Sequence, residues 1–500
     1  MKGTVVPRLY RGVRDWLPEQ MSARQRIMDT IREVYESYGF VPLGTPAFEF
    51  LDVLSGYAGQ EAQESVFRVQ NRKEESGPEE AIGLRFDLTV PLARVVSQYR
   101  ELPRPFRRYQ VAPVWRADKP DRGRFREFVQ FDIDSVGVES DMADVEILAA
   151  MCDTLTALQV GPYRVRFSSR RVLNLLLRFA EVPDELTVNV VRGRETGNPI
   201  VETERRPATD VFRVLDKLDK IGAEKVRLEL TRGYQDDSGD LVPGLGLADH
   251  QVDRIERFLS IRSDARADVL QQVLVLFREV PGAEEEIQVL SRISRRLADL
   301  GYGDDRVSID LSVARGLAYY TGPVFEAVLL DAMAYGSVFG GGRYDDLVTR
   351  FLGEKVPAVG ASIGVDRLLA ALIELGRVPL KRSTADVLVT VVDGSLQDDC
   401  LAMAFELRRA GVPTELYLAS KGIGKQIGYA DAQQIPIVAV YGGDEKARGV
   451  VTLKDMAQGR QLSEKLVARA EWLRERPGEI KVPRSELLEA VRQLLASWET

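Results

Sequence analysis

Between Arg107 and Asp134 the chain places its densest set of residues able to handle an anion. It reads Arg-Arg-Tyr-Gln-Val-Ala-Pro-Val-Trp-Arg-Ala-Asp-Lys-Pro-Asp-Arg-Gly-Arg-Phe-Arg-Glu-Phe-Val-Gln-Phe-Asp-Ile-Asp. The pattern predicts two strands joined by a charged loop, with Arg116 near one lip and Arg124 near the other. Along the second strand a period of two separates Val129, Phe131 and Ile133 from Gln130, Asp132 and Asp134, giving one apolar and one polar face. From Arg104 to Glu127 there are eight basic and three acidic residues, in a chain whose net charge is -8. Arg315 and Arg367 join Arg116 and Arg124 in segments that look like strands or helix starts. Guanidinium groups suit bidentate phosphate contacts and the charge that develops in phosphoryl or nucleotidyl transfer. Pattern alone reaches an anion-binding α+β enzyme and stops there.

The totals narrow the chemistry further. A length of 500 residues suggests about three domains, at roughly 100 to 200 residues each. A negative net charge argues against a protein that coats nucleic acid indiscriminately but permits a local basic site. Cys152 and Cys400 are the only cysteines and His250 is the only histidine, which excludes a Cys/His zinc site and makes a disulfide framework implausible. His250 lies in a polar helix-start context and reads as a surface residue, so catalysis must proceed without histidine chemistry. The N-terminus lacks a signal-peptide apolar core and no uninterrupted span is long enough for a membrane helix. A cytoplasmic protein without a membrane partner is the expectation.

Several elements must position these residues. Ile27, Ile31, Val34, Tyr35 and Tyr38 have helical spacing, predicting a helix over Glu19 to Tyr38 that Gly39 ends. Phe40 to Phe48 continues as an extended run whose Pro42 and Pro46 suit an edge or an interface. Asp87 and Thr89 share a side if the chain is extended there, and Val90 to Tyr99 reads as a helix opening on Pro91. A helix is expected over Met142 to Leu158 and a strand over Tyr163 to Phe167. From about Arg170 to Leu300 the texture is mostly amphipathic helix and reads as an insertion. Strand-like patterns resume at Val307, followed by Gly340-Gly341-Gly342-Arg343-Tyr344-Asp345, where glycines let a backbone approach a ligand or another strand. From Ala385 strands and helices alternate, implying a small parallel sheet with helices on it. No G-x-x-x-x-G-K-[ST] is present, and Gly422 to Gly428 misses the dinucleotide fingerprint in spacing and position.

Arg116-Ala117-Asp118 through Gln130 resembles motif 2 of the class II aminoacyl-tRNA synthetases, and Gly360 to Arg367 resembles motif 3. The helix Glu19 to Tyr38 with the strand through Pro46 resembles motif 1, the dimer element. Ala314-Arg315-Gly316-Leu317-Ala318-Tyr319-Tyr320-Thr321-Gly322 and Gly341 to Asp345 are similar to the two signature peptides of the histidyl-tRNA synthetase family. The resemblance spans nearly the whole chain.

It implies an α+β class II fold, an antiparallel sheet with flanking helices, a helical insertion that approaches tRNA, and a C-terminal α/β anticodon-binding domain. The expected boundaries are 1–168 and 305–380 for the catalytic domain, 169–304 for the insertion, 384–475 for the anticodon-binding domain and 476–500 for a C-terminal helix. The implied reaction joins L-histidine to its tRNA through a histidyl-adenylate, with ATP as substrate, Mg2+ as cofactor and a homodimer as the working form. By the same resemblance Arg116 contacts the α-phosphate, and Arg315 stabilises the pentacovalent phosphorus where other class II enzymes place a metal ion. Protein side chains are expected to supply no metal site. Arg124 and Arg367 would hold the ATP tail and Asp118 would read the adenine end. Asp87, Thr89 and Gln130 match positions that hold the α-ammonium, Asp134 and Tyr320 those that face the imidazole, and Tyr319 and Tyr344 complete the walls. Ala318, where the family commonly has Asp, and Asp346, where it commonly has Gly, depart from the pattern. Asp132 shares the polar face and receives no role. The alternative is the histidine-sensing regulatory subunit of ATP phosphoribosyltransferase, which usually lacks the C-terminal domain and erodes the ATP-site residues.

Overall fold

The computed structural model describes residues 5–55, 65–70, 81–195, 198–236, 239–314, 320–419, 421–456, 458 and 478–497. Arg315, Ala318 and Tyr319 therefore lie outside the described residues. The chain divides into two units, Met1–Arg14 with Arg26–Val378, and Asp15–Gln25 with Pro379–Thr500.

The first unit is built on an eight-stranded sheet. Its strands are β1 (Val41–Pro42), β2 (Phe106–Trp115), β3 (Glu127–Val136), β4 (Tyr163–Ser169), β5 (Val307–Ile309), β6 (Pro323–Leu329), β7 (Ser337–Arg343) and β8 (Ala358–Gly364). They lie in the order β1-β2-β3-β8-β7-β6-β4-β5. All inner pairings are antiparallel, and the short strands β1 and β5 add parallel edges. Pro42 thus sits on an edge strand, where its missing N–H interrupts no inner ladder. The order is non-sequential because two long excursions leave between β3 and β8.

The period of two in β3 is realised. Phe131 and Ile133 are fully buried on the back of the sheet, where Phe131 meets Tyr35 edge-on at 5.2 Å. Tyr35 comes from helix α1 (Pro18–Ser37), predicted from its apolar spacing. Burying a ring of this size contributes about 1.5–3 kcal/mol. Helix α3 (Met142–Ala157) also covers the back, and Arg343 at the end of β7 ties it down. The Arg343 guanidinium pairs with Asp144 at 2.5 Å and donates to the Val138 and Ser140 carbonyls. On the opposite face, helix α2 (Thr89–Gln98) closes one end of the sheet. Val90, Leu92, Ala93 and Val96 pack there with Phe106, Val136, Ala358 and Tyr344.

The excursion between β4 and β5 is largely helical, with long helices at Asp249–Leu259, Arg266–Leu276 and Ala283–Asp299. It also contains two hairpins that helical spacing does not predict, Glu185–Glu195 with Asn198–Pro207, and Gly233–Gln235 with Leu241–Pro243. Within it the stretch Val211 to Ile221 falls in two helices, Asp210–Leu215 and Leu218–Leu230, the second kinked at Gly222 with φ of 80°. His250 is exposed in the first turn of its helix.

The second unit carries five strands in the order Thr414–Leu416, Val387–Val389, Ile437–Val440, Val450–Asp455, Glu479–Pro483. The first three are parallel, as alternation of strands and helices requires, and the last two are antiparallel. The wholly parallel sheet expected from the sequence is thus mixed. The segment 476–500, expected as a helix alone, first adds the edge strand Glu479–Pro483 and only then forms Leu487–Ala496. Among the described residues no helix is long and apolar enough to cross a membrane.

Candidate active site

Strand register aligns the polar residues of β3 with those of its neighbours in rows across the sheet. One row runs Arg108, Asp134, Gly360, Gly342. The next runs Gln110, Asp132, Ser362, Gly340, Glu326, Arg166. Gln130 follows, opposite Gly364. The polar face therefore does not turn to water: Gln130, Asp132 and Asp134 are all buried.

Arg108 anchors this floor. Its side chain is 0% exposed and Nη2 lies 2.8 Å from Asp134 Oδ2 and 3.9 Å from Asp132 Oδ2. Nη2 also donates to the Leu88 carbonyl at 3.0 Å, next to Asp87 and Thr89 in the chain. Asp134 is held from the other side by the Tyr344 hydroxyl, which donates to Oδ1. The Tyr344 ring is packed in the apolar cluster, and its hydroxyl is the part that reaches Asp134. Gly360 is required beside Asp134. A Cβ there would come within 2.0 Å of Asp134 Oδ1, and one at Gly341 within 2.1 Å of the Gly360 carbonyl oxygen. Gly342 likewise leaves room for the Tyr320 ring.

Asp87 precedes α2, and its Oδ1 accepts from the Val90 N–H at 3.1 Å. Burial pushes its carboxyl up to about 6, against the pull of that N–H and of Arg116 and Arg108. Burial also raises Asp132, to about 7, with Arg108 opposing and the neighbouring Asp134 adding to the rise. Asp134 is raised by burial too, with Arg108 and Tyr344 opposing. Gln130 donates from Nε2 to Ser362 Oγ at 2.9 Å. Asp87 Oδ2, Asp132 Oδ1, Gln130 Oε1, Gln110 Oε1 and Arg108 Nε and Nη1 find no hydrogen-bond partner among the described residues. Buried polar atoms left in this way mark a surface prepared for a polar ligand.

The arginines gather at the rim. Arg116 donates from Nε to the Phe86 carbonyl at 2.9 Å, beside Asp87, and its guanidinium lies over the Phe128 ring at 5.3 Å. Arg124 pairs with Asp118 Oδ2 at 2.5 Å, both partly exposed, and Ser65 donates to the other oxygen of Asp118. Arg367, in helix α4 (Val365–Glu374), donates to the Ser337 carbonyl at 2.7 Å and to that of Gly123 at 3.5 Å. Its neighbour Asp366 is buried and accepts the Val129 N–H at 2.8 Å, tying α4 to β3. Thr89 is the first residue of α2. The structure thus gathers Asp87, Asp134, Tyr344 and Arg116 around one floor, with Arg124, Asp118 and Arg367 around the loop that joins β2 to β3.

Sequence reasoning missed Arg108, Gln110 and Arg85. Arg85 is buried and staples the run before it, donating to the carbonyls of Thr45, Pro46 and Pro113. Hairpin register would have revealed Arg108 and Gln110: two strands joined around residues 116–126 place them opposite Asp134 and Asp132.

Comparison with known proteins agrees over the full length. The profile described as Histidyl-tRNA synthetase matches residues 12–198 and 209–368, and that described as Anticodon binding domain matches 386–494. The chain is 42% identical to the Histidine--tRNA ligase of Ruegeria sp. (strain TM1040), over 97% of this chain and 96% of that one. It is 43% identical to the Histidine--tRNA ligase of Cereibacter sphaeroides, over 97% of each. The crystal structure of histidyl-tRNA synthetase from Nostoc sp. PCC 7120 superposes with a TM-score of 0.76 at 30% identity, covering 98% of this chain and 100% of that one.

Proposed function

The chain belongs to the histidyl-tRNA synthetase family, and from that premise we propose that the floor made by β3 and β8 binds histidine while the arginine rim binds ATP. The activity is the ATP-dependent ligation of L-histidine to its tRNA through a histidyl-adenylate. Full-length matches to histidine–tRNA ligases and a C-terminal unit matching the anticodon-binding domain support this activity over the regulatory-subunit alternative.

In the first step the histidine carboxylate attacks the α-phosphorus of ATP. A carboxyl oxygen–phosphorus bond forms, the bond to the β-phosphate oxygen breaks, and pyrophosphate leaves. In the second, a ribose hydroxyl at the tRNA end attacks the activated carbonyl and AMP leaves. Asp87, Thr89 and Gln130 hold the α-ammonium. Asp134 and Tyr320 take the two imidazole nitrogens, with Tyr319 and Tyr344 beside them. A pocket of buried polar groups rejects apolar isosteres because those groups would be left unpaired. Arg116 and Arg315 face the α-phosphate, where fixed cations stabilise developing charge. Arg124 and Arg367 hold the rest of the triphosphate and Asp118 the adenine end. The loop Lys119 to Gly123 lies near the tRNA end.

ATP is the second substrate. Among the described residues no group of three or more His, Cys, Asp or Glu side chains is arranged to hold a metal. The donors present do not build a cage, and Mg2+ would come with the ATP phosphates, keeping several waters. We further propose a homodimer through the α1 and β1 region and a cytoplasmic location.

The observation that carries the site is the set of buried polar atoms at Asp87, Gln130 and Asp132 that find no hydrogen-bond partner among the described residues. Its test is pyrophosphate exchange into ATP. Exchange is expected with histidine and with no other amino acid, and Arg116→Ala and Arg315→Ala should each lower it about 100-fold or more while histidine still binds. Exchange supported equally by other amino acids would defeat the reading.

A further inference from the structure

Asp132 stands between the two halves of the proposed histidine pocket and has no part in the scheme above. It lies on the same face of β3 as Gln130 and Asp134, two residues from each, and is 2% exposed. Oδ1 has no hydrogen-bond partner among the described residues. An aspartate with no ligand to meet would be costly in such a place.

The charges that face it can be counted element by element. β2 supplies Arg108 and the neutral Gln110, and β3 supplies Asp134 and the neutral Gln130. β8 contributes the neutral Ser362, opposite Asp132 in the strand register, and the segment before α2 contributes Asp87. Tyr35 of α1 lies within electrostatic range, and burial keeps its phenol neutral. Arg85 also acts from a distance, with its guanidinium engaged by backbone carbonyls. Tyr344 hydrogen-bonds Asp134. Three carboxylates thus share Arg108 as the cation inside the floor, and its close ion pair is with Asp134. Bound histidine brings an α-ammonium for Asp87 and a carboxylate for the arginine rim. One negative charge remains, on Asp132.

We propose that Asp132 is a specificity-determining residue whose buried charge makes the pocket take histidine as its imidazolium. The inference rests on the histidine-site reading above and says which protonation state that site selects. Above about pH 7 free histidine carries a neutral ring, its unperturbed pKa being about 6.5, so binding must take up a proton. The empty pocket is prepared for this. Burial holds the Asp132 carboxyl up at about 7, so an incoming cation relieves an unfavourable ionised state. An uncharged side chain of similar shape leaves that state unrelieved, which adds a charge criterion to the hydrogen-bond criterion for selecting histidine.

Two measurements without ATP test it. Nitrogen NMR of ring-labelled histidine bound to the wild-type protein at about pH 8, where the free ring is neutral, is expected to show both ring nitrogens protonated. A bound ring with one bare nitrogen overturns the proposal. Calorimetry in two buffers of different ionisation heat is expected to give an uptake of about one proton per histidine at about pH 8, falling near zero in Asp132→Asn. Unchanged uptake in that variant also overturns it. Should Asp132→Asn fail to fold, the NMR result on the wild type decides. Asp87→Asn and Asp134→Asn separate the two levels. If both leave histidine affinity intact, the site reading itself has failed, whereas loss of affinity with a neutral bound ring defeats only the imidazolium.

Discussion

Arg108 and Arg124 belong to the same hairpin, and each pairs with an aspartate, yet their surroundings give the two pairs opposite physics. The Arg108–Asp134 side chains are 0% and 3% exposed, whereas those of Arg124 and Asp118 are 48% and 22% exposed. In the floor, desolvation raises the stakes of every charge, and removing one partner leaves the other stranded. At the rim, water screens the pair and keeps both side chains available to a ligand. The floor is therefore fixed by its own contacts, while Arg124 at the rim can trade Asp118 for another anion. One region selects by what it has buried and the other by what it leaves in reach.

The largest effect expected from breaking this contrast is at Arg108. Arg108→Ala should lower the unfolding free energy by about 3–5 kcal/mol in denaturant titrations, because two buried carboxylates lose their cation. A loss under about 1 kcal/mol would put the floor on the same footing as the rim. Next comes Gly360→Ala, whose Cβ would fall 2.0 Å from Asp134 Oδ1. It should raise KM for histidine by about 100-fold while KM for ATP changes little, since displacing one buried acceptor costs a few kcal/mol.

The pH dependence sharpens the same comparison. The folded-state carboxyls of Asp87 and Asp132 are raised, to about 6 and about 7, from an unfolded value near 3.9. The stability they contribute is full below about pH 4 and is lost as pH rises through about 6 and 7. Asp132→Asn should therefore be more stable than the wild type at about pH 8 in the absence of histidine, on the order of 4 kcal/mol for a carboxyl raised from about 3.9 to about 7, and the gap should close only below about pH 4. The smallest change belongs to the rim. Arg124→Ala should alter stability by less than about 1 kcal/mol, while KM for ATP rises about tenfold, the cost of one charge-assisted contact.

Much of this arrangement was legible in the sequence, and the reasons are local. The alternation of β3 and the helical spacing of α1 and α3 are strong periodic signals, and the structure follows them. The motif-like stretches around Arg116 and Gly360 pointed to the two strands that form the floor. Arg108 stayed hidden because a residue in a run of basic charge looks like surface until the register of its hairpin is known. Arg107, its neighbour, is the half-exposed one, pairing with Glu146. The hairpin Glu185–Glu195 with Asn198–Pro207 escaped because its second strand is polar, so alternation cannot separate a buried face from an exposed one. Glu479–Pro483 escaped because a five-residue edge strand with a mostly exposed pattern carries almost no periodic signal. Asp132 was visible as a polar residue on the right face, but its lack of a hydrogen-bond partner on Oδ1 is a property of packing, which no spacing reveals.

The glycines of β7 and β8 bear on how such a pocket can change over generations. At Gly360 and Gly342 an added methyl group meets a carboxylate or the adjacent main chain, so this wall is made of backbone and offers no side chain to exchange. A lineage drifting toward another amino acid could not narrow the cavity from that side by small, individually tolerated steps. Innovation would be confined to the carboxylates of β3 and to Tyr320, where each change also disturbs a charge or a hydrogen bond. The fold thus makes fidelity to its substrate a historical constraint as well as a thermodynamic one.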